Sequence, residues 1–594
     1  VWDAKEYHVI AIALSHGEAP QFIAYRAPLY PIILSLIMMI FGKNPIFLLL
    51  AQICIGSFSC FLIYRISTKL YGNNIGLICG LSGAVSGLMI YFDLELLPTS
   101  MVVFIVLLFF DGILKIDVKR KSVLIKVGLM LGCGVLLRPT LIAFLPIAIW
   151  WVARKSEKLK RVLQFSGALA IPMIMSFVLH LSTGAGPILV SAQGGINFFI
   201  GNHRQADGIT ANLPGHGAGW NWDVISRNAE IQTGKKLKES EVDRFYWNAG
   251  LKEILADIPG FVKRCTKKAA LFWNHVEISS NRDLYYHGSR FPLLGKLLWI
   301  GFPLFLPFAV FGAISLWKDD RIKFLTLSIL LYFLLSILFF VNARFRHPIL
   351  PLLIILSGAG FTGIFSFRNI LISKKIILIL SVLVAILISF GVNSGIKKNR
   401  WDYGLFTEGK ILAELGRVKE ADLLYSKALA HNPAAPYVNF HRAEIALESN
   451  LTQEAVKLYN KELNNQPQFA QAWNNLGIAY QAISLEDSAL YCFQQAHRRQ
   501  PQMLEASSNA ARIYARKGIN AGEEGDFNAM RKFAIHAQEY APEEPLYKVL
   551  ELEAKINLGD TTNVLQELER LIKNNNNFPP ANDLKMYLES IRGK

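Results

Sequence analysis

Near the middle of the chain stand IKFLTLSILLYFLLSILFFV at 322–341 and HPILPLLIILSGAGFTGIFSF at 347–367. Each stretch has about the 20 mostly apolar residues that a helix needs to cross the hydrocarbon of a bilayer. Backbone polar groups find no water there, so such stretches form helices. The polar sequence NARFR at 342–346 joins them and indicates a turn at one membrane surface. These residues predict a bundle of membrane-spanning helices.

Similar apolar stretches indicate further crossings. They lie at 46–66, 74–92, 100–116, 162–182, 293–317 and 374–393. The stretch 123–153 is interrupted by Arg138 and flanked on both sides by Lys and Arg. Because basic loops favour the cytoplasm, it crosses twice, with Arg138 at the far turn. Ten crossings are predicted, and the short apolar segment 28–42 is predicted to lie in the membrane interface.

The positive-inside rule also predicts which segments share the extracytoplasmic face. They are 1–45, 93–99, the large loop 183–290, 344–347 and everything after 395. The chain starts at Val1 inside a polar motif, so we expect a further membrane helix to precede it. The predicted fold class is all-α: a polytopic transmembrane bundle at 1–395, followed by a helical domain at 396–594.

Composition argues against nucleic acid as a partner. The 62 Lys and Arg exceed the 45 Asp and Glu, which gives a formal net charge of +17. Many of these cations lie in short loops between apolar segments, which is typical of membrane topology rather than of a groove for nucleic acid. None of the six cysteines forms a CxxC pair, so neither a zinc site nor a disulfide framework is indicated.

The C-terminal part contains a repeat of 34 residues, marked by Pro433, Pro467 and Pro501. This is the period of tetratricopeptide repeats. One unit follows the consensus at Trp473, Leu476, Gly477, Tyr480, Ala489, Phe493, Ala496 and Pro501. The next unit carries a seven-residue insertion around 520–526. Such repeats stack into an α-solenoid with a concave surface, so we expect a protein partner for this domain.

Two acidic motifs lie on the predicted extracytoplasmic side. In WDAKEYHVIAIAL at 2–14, Asp3 and Glu6 stand about one helical turn apart, where a carboxylate is suited to act as a general base. A variant of the helix capping box explains the same spacing. In YFDLELLPT at 91–99, Glu95 lies in a short turn between two crossings, where a solvated charge is also ordinary.

Two further motifs suit a phosphorylated sugar. In NARFRHP at 342–348, Arg344 and Arg346 are suited to bind phosphate, although anionic lipid head groups are their ordinary partners. The segment GGINFFIGNHRQADGITANLPG at 194–215, with Asn197 and Asn202, is rich in residues that contact sugars or that build a structural loop.

A divalent metal ion is only weakly indicated. His203, Asp207, His216 and His287 share one loop system, but they lack the spacing of a metal-binding motif. We therefore assign no metal ligands and no certain cofactor.

Taken in order, these segments resemble the GT-C membrane glycosyltransferases, in particular the family-39 group related to dolichyl-phosphate-mannose–protein mannosyltransferases. The motifs that carry the resemblance also include RAPLYPIILSLIMMIFG, GVLLRPT and ALFWNHVEI, and they span residues 2–365. Bacterial members that end in tetratricopeptide repeats are especially similar. The resemblance implies a multi-pass protein of the bacterial inner membrane with its repeat domain outside the cytoplasm.

The resemblance implies transfer of a sugar from a polyprenyl-phosphate donor to a glycan, lipid or protein acceptor. Asp3 stands at the position of the catalytic carboxylate, and Glu95, the second predicted catalytic residue, matches an acidic position in the second loop. Arg26, Arg344 and Arg346 stand where relatives place cations near the donor phosphate. The other predicted substrate-binding residues are Glu6, Arg138, Asn197 and Asn202. Many relatives carry two adjacent acids in the first loop, whereas Ala4 and Lys5 follow Asp3 here.

Under this hypothesis Asp3 takes a proton from the acceptor hydroxyl in an inverting displacement, while the arginines stabilise the departing lipid phosphate. Two other classes remain open. A lipid-linked glycan polymerase or ligase uses the same lipids and needs arginines rather than a carboxylate. A non-catalytic membrane-anchored repeat scaffold leaves the acidic and basic motifs unexplained.

Overall fold

The computed structural model describes residues 2–18, 24–115, 121–154, 157–211, 213, 222–279, 282–366, 372–391, 400–501, 503–575 and 578–592. Within these residues the fold is helical and contains no β-strand, which confirms the all-α prediction. The chain divides into two compact units, Val1–Thr407 and Glu408–Lys594. The boundary predicted between residues 395 and 396 lies outside the described residues, so it stays a prediction.

In the part of the chain that the structure describes, the first unit begins with nine α-helices. They are α1 (Trp2–Ser15), α2 (Leu29–Phe41), α3 (Pro45–Tyr71), α4 (Asn73–Ala84), α5 (Gly87–Asp93), α6 (Thr99–Ile113), α7 (Lys121–Leu137), α8 (Leu145–Ala153) and α9 (Lys158–Ser182). A 3-10 helix, Pro139–Phe144, separates α7 from α8, because Pro139 cannot continue the hydrogen bonding of α7. Helix α7 ends at Leu137, so Arg138 lies at the predicted turn between α7 and the 3-10 helix.

Eleven more α-helices follow among the described residues of this unit before α21 (Trp401–Glu414). They are α10 (Gly194–Asn202), α11 (Trp222–Thr233), α12 (Glu239–Ala256), α13 (Ile258–Trp273), α14 (Leu284–Arg290), α15 (Pro292–Leu297), α16 (Phe302–Ser315), α17 (Asp320–Ser336), α18 (Ala343–Arg346), α19 (Leu350–Ser366) and α20 (Ile372–Ile386). Helices α10 to α14 occupy the loop predicted at 183–290. This loop is therefore a helical subdomain rather than irregular chain.

Several helices are long and apolar enough to cross a membrane. Among the described residues there are four, Pro45–Tyr71, Lys158–Ser182, Pro292–Ser315 and Ala343–Thr362. If α4 and α5, which are bent by 54° relative to each other, together form one span, the number of such spans among the described residues is five. Shorter apolar helices lie at Leu29–Phe41, Thr99–Ile113, Ser122–Leu137, Pro139–Ala153 and Lys375–Gly391. The chain is a multi-pass membrane protein, while the count of ten crossings stays a prediction because a 17-residue helix spans only about 25 Å.

Small residues set the spacing of the helices in this bundle. Gly128 and Gly132 lie on α7 in a G-x-x-x-G pattern, and a Cβ atom on either would collide with carbonyl oxygens of α9. Gly312 on α16 and Gly360 on α19 face each other in the same way. Helices in lipid lack a hydrophobic driving force between them, so close backbone packing of this kind holds them together.

Replacing Gly360 by alanine is expected to destabilise the bundle by about 1–3 kcal/mol, because the new methyl group meets the backbone carbonyl of Phe308. Gly167 on α9 is the matched control, since a Cβ atom there has nothing within 4 Å. Thermal unfolding in detergent measures both variants. An unchanged melting temperature for Gly360→Ala would contradict the close packing.

Helix α21 begins in the first unit, and from the second half of α21 onward the second unit consists of helical hairpins. From α21 onward the helices are α21 (Trp401–Glu414), α22 (Val418–His431), α23 (Val438–Glu448), α24 (Thr452–Asn465), α25 (Ala470–Ala482), α26 (Glu486–Arg499), α27 (Leu504–Glu523), α28 (Phe527–Tyr540), α29 (Pro545–Asn557), α30 (Val564–Asn574) and α31 (Pro579–Arg592). Tyr425, Tyr459 and Phe493 recur at the 34-residue period, and all three are fully buried. This confirms the predicted repeat architecture.

Two details of the repeat domain follow the sequence closely. A Cβ atom on Gly477 would lie 2.6 Å from the ring of Phe493, so glycine lets the paired helices α25 and α26 approach. Helix α27 has 20 residues where α25 has 13, so the predicted insertion lengthens a helix.

Candidate active site

Helix α1 carries the two acidic residues predicted for the site. Asp3 lies in the first turn of α1, and Glu6 lies about one turn later on the same side. Helix α1 packs against α2, where the ring of Tyr7 meets that of Tyr30 edge-on with 5.0 Å between centroids. This contact directs the acidic side of α1 toward the chain segment that precedes α2.

Arg26 lies in that segment and binds both carboxylates. Its Nη2 donates to Asp3 Oδ1 at 2.7 Å, and its Nε donates to Glu6 Oε2 at 2.8 Å. The guanidinium is buried between the rings of Tyr7 and Tyr25, at 5.4 Å and 5.0 Å from their centroids. Burial raises the pKa of Tyr25 to about 12, so this ring stays neutral beside the charges.

Arg344 reaches the same carboxylate from the far part of the unit. Asn342 begins the one-turn helix α18, and its Oδ1 accepts from the backbone N–H of Phe345 at 3.0 Å. The Nη1 of Arg344 donates to Asp3 Oδ2, so Asp3 is held by one arginine on each oxygen. The Nε of Arg344 is buried and has no hydrogen-bond partner among the described residues.

Arg138 lies behind Arg344. Its Nη1 donates to the backbone carbonyl of Arg344, and its guanidinium lies 5.3 Å from the ring centroid of Phe345. Tyr332 fixes the same turn, since its hydroxyl donates to the carbonyl of Phe345 at 2.7 Å. Arg138 was predicted to bind substrate, but these contacts give it the position of a support for Arg344.

Asp3, Glu6, Arg26, Arg138 and Arg344 thus come together, and we call them the acid–arginine cluster. Its two carboxylates and three guanidinium groups leave a net charge of +1 when all are ionised. A positively charged group of this kind, with one polar N–H still unpaired among the described residues, is suited to hold an anionic phosphate beside a carboxylate.

Glu95 lies at the edge of this cluster. Tyr30 donates its hydroxyl to Gln52 Oε1 at 2.7 Å, and Gln52 Nε2 donates to the backbone carbonyl of Glu95 at 2.7 Å. The carboxylate of Glu95 is buried, with Arg282 at 3.6 Å. Burial raises the pKa of Glu95, while Arg282 and, to a smaller extent, Arg344 act to lower it.

The Glu95→Gln variant is expected to be more stable than the wild type near neutral pH and equally stable in acid. The pKa of Glu95 is raised in the folded state, so stability falls as the pH rises from the unfolded pKa through the folded one. Glutamine resembles the protonated side chain and avoids that loss. Thermal unfolding at about pH 4 and about pH 8 tests this, with Glu253→Gln as control. A difference in melting temperature between Glu95→Gln and the wild type that does not change with pH would contradict this prediction.

Arg346 does not face the cluster, although it was predicted to bind phosphate. It is fully buried and forms a two-point ion pair with Glu277, Nε–Oε2 at 3.1 Å and Nη2–Oε1 at 2.7 Å. Its Nη1 also donates to the carbonyls of Phe272 and Asn274, at 2.7 Å and 2.8 Å. These partners occupy the guanidinium, so its geometry is that of a structural arginine.

The two asparagines predicted for sugar contacts lie on α10. Asn202 is fully buried, and its Nδ2 donates to the carbonyls of Phe198 and Leu338 at 2.8 Å and 2.7 Å. Its Oδ1 accepts from Lys268 Nζ at 3.1 Å. Asn202 therefore joins α10 to the end of α17, which differs from the expected sugar contact. Asn197 is half-buried on the same helix.

No group of three or more metal-ligating side chains occurs within the described residues. His203 is buried against α10, where its ring lies 5.6 Å from that of Phe199. His216, one of the four residues considered from the sequence, lies outside the described residues.

Some residues of the site were not found from the sequence. Tyr7 and Tyr25 enclose Arg26. Their positions in the sequence indicate this, since Tyr7 follows Asp3 by one helical turn and Tyr25 is next to Arg26. Arg282 and Tyr332 left no pattern, because each meets its partner only through the tertiary fold.

A known protein family matches part of the membrane unit. Residues 25–180 match the family model described as dolichyl-phosphate-mannose-protein mannosyltransferase. Arg26, Glu95 and Arg138 lie inside the matched region, whereas Asp3 and Arg344 lie outside it. No curated protein matches the chain significantly.

Three of the solved structures that match the chain have low sequence identity to it. They are YrrB, a TPR protein with an unusual peptide-binding site (16% identity, 32% of this chain, 96% of that chain, TM-score 0.25), Pseudomonas aeruginosa pilF (12%, 38%, 95%, 0.23) and yeast Tom70 (12%, 86%, 91%, 0.22). With TM-scores this low, none superposes on the chain as a whole. The N-terminal region of this multi-pass membrane protein matches the dolichyl-phosphate-mannose-protein mannosyltransferase family, whose activity is that of a membrane glycosyltransferase of the GT-C type.

Proposed function

We propose that the protein moves a sugar from a polyprenyl-phosphate donor to a glycan, lipid or protein acceptor on the extracytoplasmic face of the bacterial inner membrane. One observation carries the proposal. Asp3 is held by Arg26 and Arg344, which lie 23 and 341 residues away along the chain. A carboxylate between two arginines at one end of a membrane bundle supplies both a base and a phosphate site.

The proposed reaction is an inverting displacement. Asp3 accepts the proton of the acceptor hydroxyl while the oxygen of that hydroxyl forms a bond to C1 of the sugar. The bond from C1 to the phosphate oxygen breaks, and the lipid phosphate leaves with the electron pair. Arg26 and Arg344 stabilise the charge that grows on this phosphate, because fixed guanidinium groups need no reorganisation during the reaction.

Donor binding also changes the state of the base. In the structure both oxygens of Asp3 accept from arginines, so the carboxylate is paired rather than open to an acceptor. A donor phosphate competes for the same guanidinium groups, and the buried Nε of Arg344 offers it a first contact. Arg26 retains Glu6 as a second partner while Asp3 is released. The proposal therefore requires that the donor binds before the acceptor.

The remaining predicted residues take supporting roles in this proposal. Glu95, buried beside the cluster, orients the acceptor, and Asn197 faces the sugar from α10. Arg138, Arg346 and Asn202 are positioning residues, since each is bonded to backbone carbonyls within the protein. The repeat unit binds a protein partner on its concave surface.

Transfer from a panel of radiolabelled polyprenyl-phosphate sugars to native membrane acceptors tests the proposal. We expect Arg344→Gln to lower turnover by about 10²–10³-fold and Arg344→Lys to recover part of it, because lysine keeps the charge but not the two-point geometry. Arg227→Gln, an exposed arginine on α11, is the control.

Two outcomes would contradict the proposal. Turnover of lipid-linked oligosaccharides alone, with no monosaccharide donor accepted, would assign the protein to the polymerases or ligases. No turnover with any donor would favour a scaffold.

A further inference from the structure

A second charged cluster lies in the membrane unit, built around Asp111 near the end of α6. Its carboxylate accepts from Arg65 Nη2 at 2.5 Å and from Lys69 Nζ at 2.9 Å. Lys115 Nζ donates to the same carboxylate. We call these four residues the Asp111 cluster. The proposed glycosyl transfer does not use it.

The Asp111 cluster lies at the opposite end of the bundle from the acid–arginine cluster. Helix α3 connects the two ends, because Gln52 bonds to the carbonyl of Glu95 and Lys69 bonds to Asp111. The 17 residue steps from Gln52 to Lys69 correspond to a rise of about 25 Å along the helix. That distance is most of the hydrocarbon thickness of a bilayer, so the clusters lie near opposite membrane surfaces.

The charges of the Asp111 cluster are not balanced. Three cations surround one carboxylate, which leaves a net charge of +2. The carboxylate side chain is only 7% exposed, whereas those of Arg65, Lys69 and Lys115 are 40%, 44% and 37% exposed. The buried acid thus holds the cations together while each keeps an outward surface. Such an arrangement is suited to an anion with several oxygens.

The surface beside the cluster is apolar. Phe58, Phe61, Arg65 and Lys69 follow one another along one face of α3 at helical spacing. Phe58 and Phe61 are both more than half exposed, so they face lipid chains. One side of the helix therefore offers an apolar surface followed by a cationic end, which matches the order of acyl chain and head group in a phospholipid.

A pair of tryptophans near the cluster indicates that it lies at the level of the lipid head groups. Trp151 Nε1 donates to the carbonyl of Ile113 at 3.1 Å, and Ile113 lies two residues from both Asp111 and Lys115. Arg154 lies over the rings of Trp150 and Trp151, at 4.9 Å and 5.4 Å. Tryptophan is enriched at the level of the head groups.

We propose that the Asp111 cluster binds the phosphate of an anionic phospholipid, whose acyl chains lie along Phe58 and Phe61. The site is independent of the glycosyltransferase activity. Near a membrane surface each cation contributes about a fivefold increase in affinity for an anionic lipid. The probe is therefore phosphatidylglycerol. It is compared with phosphatidylcholine of the same chain length, which carries the same phosphate but no net charge.

Native mass spectrometry of the full chain in detergent, with either lipid added, tests the proposal. We expect phosphatidylglycerol to be retained over phosphatidylcholine, and the Lys69→Gln variant to lose about fivefold in that preference. The double variant Lys69→Gln/Lys115→Gln is expected to lose about 25-fold. Lys457→Gln/Lys461→Gln removes the same charge from exposed positions on α24 of the repeat unit and is expected to leave this lipid preference unchanged.

An equal preference in the Lys69→Gln variant and the wild type would overturn the proposal. Because the double variant removes two partners of a buried acid, its melting temperature is measured as well, and the single variant decides the question if the double variant unfolds. Inorganic phosphate is added in a parallel series. Displacement of phosphatidylglycerol by equimolar phosphate would mean that the cluster is a site for a soluble anion, which would overturn the lipid assignment.

Discussion

The Asp3→Asn variant is expected to lose about 10²–10⁴-fold in turnover while retaining the fold of the wild type. Asparagine keeps the size of the side chain and an oxygen that accepts from Arg26 or Arg344, so the contacts of α1 with the rest of the cluster largely persist. It cannot accept a proton from the acceptor hydroxyl. The loss should therefore lie in the chemical step rather than in binding of the donor.

Transfer kinetics with a saturating donor measure this effect, and the melting temperature reports on the fold. Glu18→Gln is the matched control, because Glu18 is an exposed acid three residues after the end of α1. If turnover persists in Asp3→Asn, the protein is still a glycosyltransferase but Asp3 is not the base. Glu6 and Glu95 are then the next carboxylates to be replaced.

The largest effect on stability is expected for Arg346→Gln. This change leaves Glu277 buried without its cation and removes donors from the carbonyls of Phe272 and Asn274. Breaking a buried ion pair from one side costs about 3–5 kcal/mol. For a membrane protein of ordinary stability that is a large part of the total free energy of unfolding.

Arg344→Gln is the matched comparison, since Arg344 lies two residues away on the same short helix. It should lose activity with a smaller change in melting temperature, because its partner Asp3 keeps Arg26. Arg346→Gln should lose the fold and the activity together. A stable and active Arg346→Gln variant would contradict the structural role given to this residue.

The sequence predicts the elements of this protein better than it predicts contacts between them. Apolar length indicates the membrane helices, and the 34-residue period indicates the repeats, since both are properties of local sequence. Asp3 and Arg344 were each singled out from a local motif. Their direct contact depends on how distant helices pack, which no spacing along the chain records.

The different roles of the two arginines in NARFR cannot be predicted from the sequence. Arg344 and Arg346 have the same side chain and almost the same neighbours in sequence. In the one-turn helix α18, residues two apart point in different directions, so Arg344 meets Asp3 and Arg346 meets Glu277. Asn202 is a similar case, because its buried partner Lys268 lies 66 residues away. Which of two like residues is buried depends on tertiary packing.

The distance along the chain between Asp3 and Arg344 also affects when activity can arise. Synthesis begins at the N-terminus, so Asp3 is made 341 residues before Arg344. Until then the carboxylate lacks one of its two arginine partners. A nascent or truncated chain that holds the donor poorly would spare its lipid-linked sugar from premature cleavage. Under the proposed function, catalytic competence therefore depends on completion of the membrane unit, and coexpressed halves of this unit are expected to regain activity only on association.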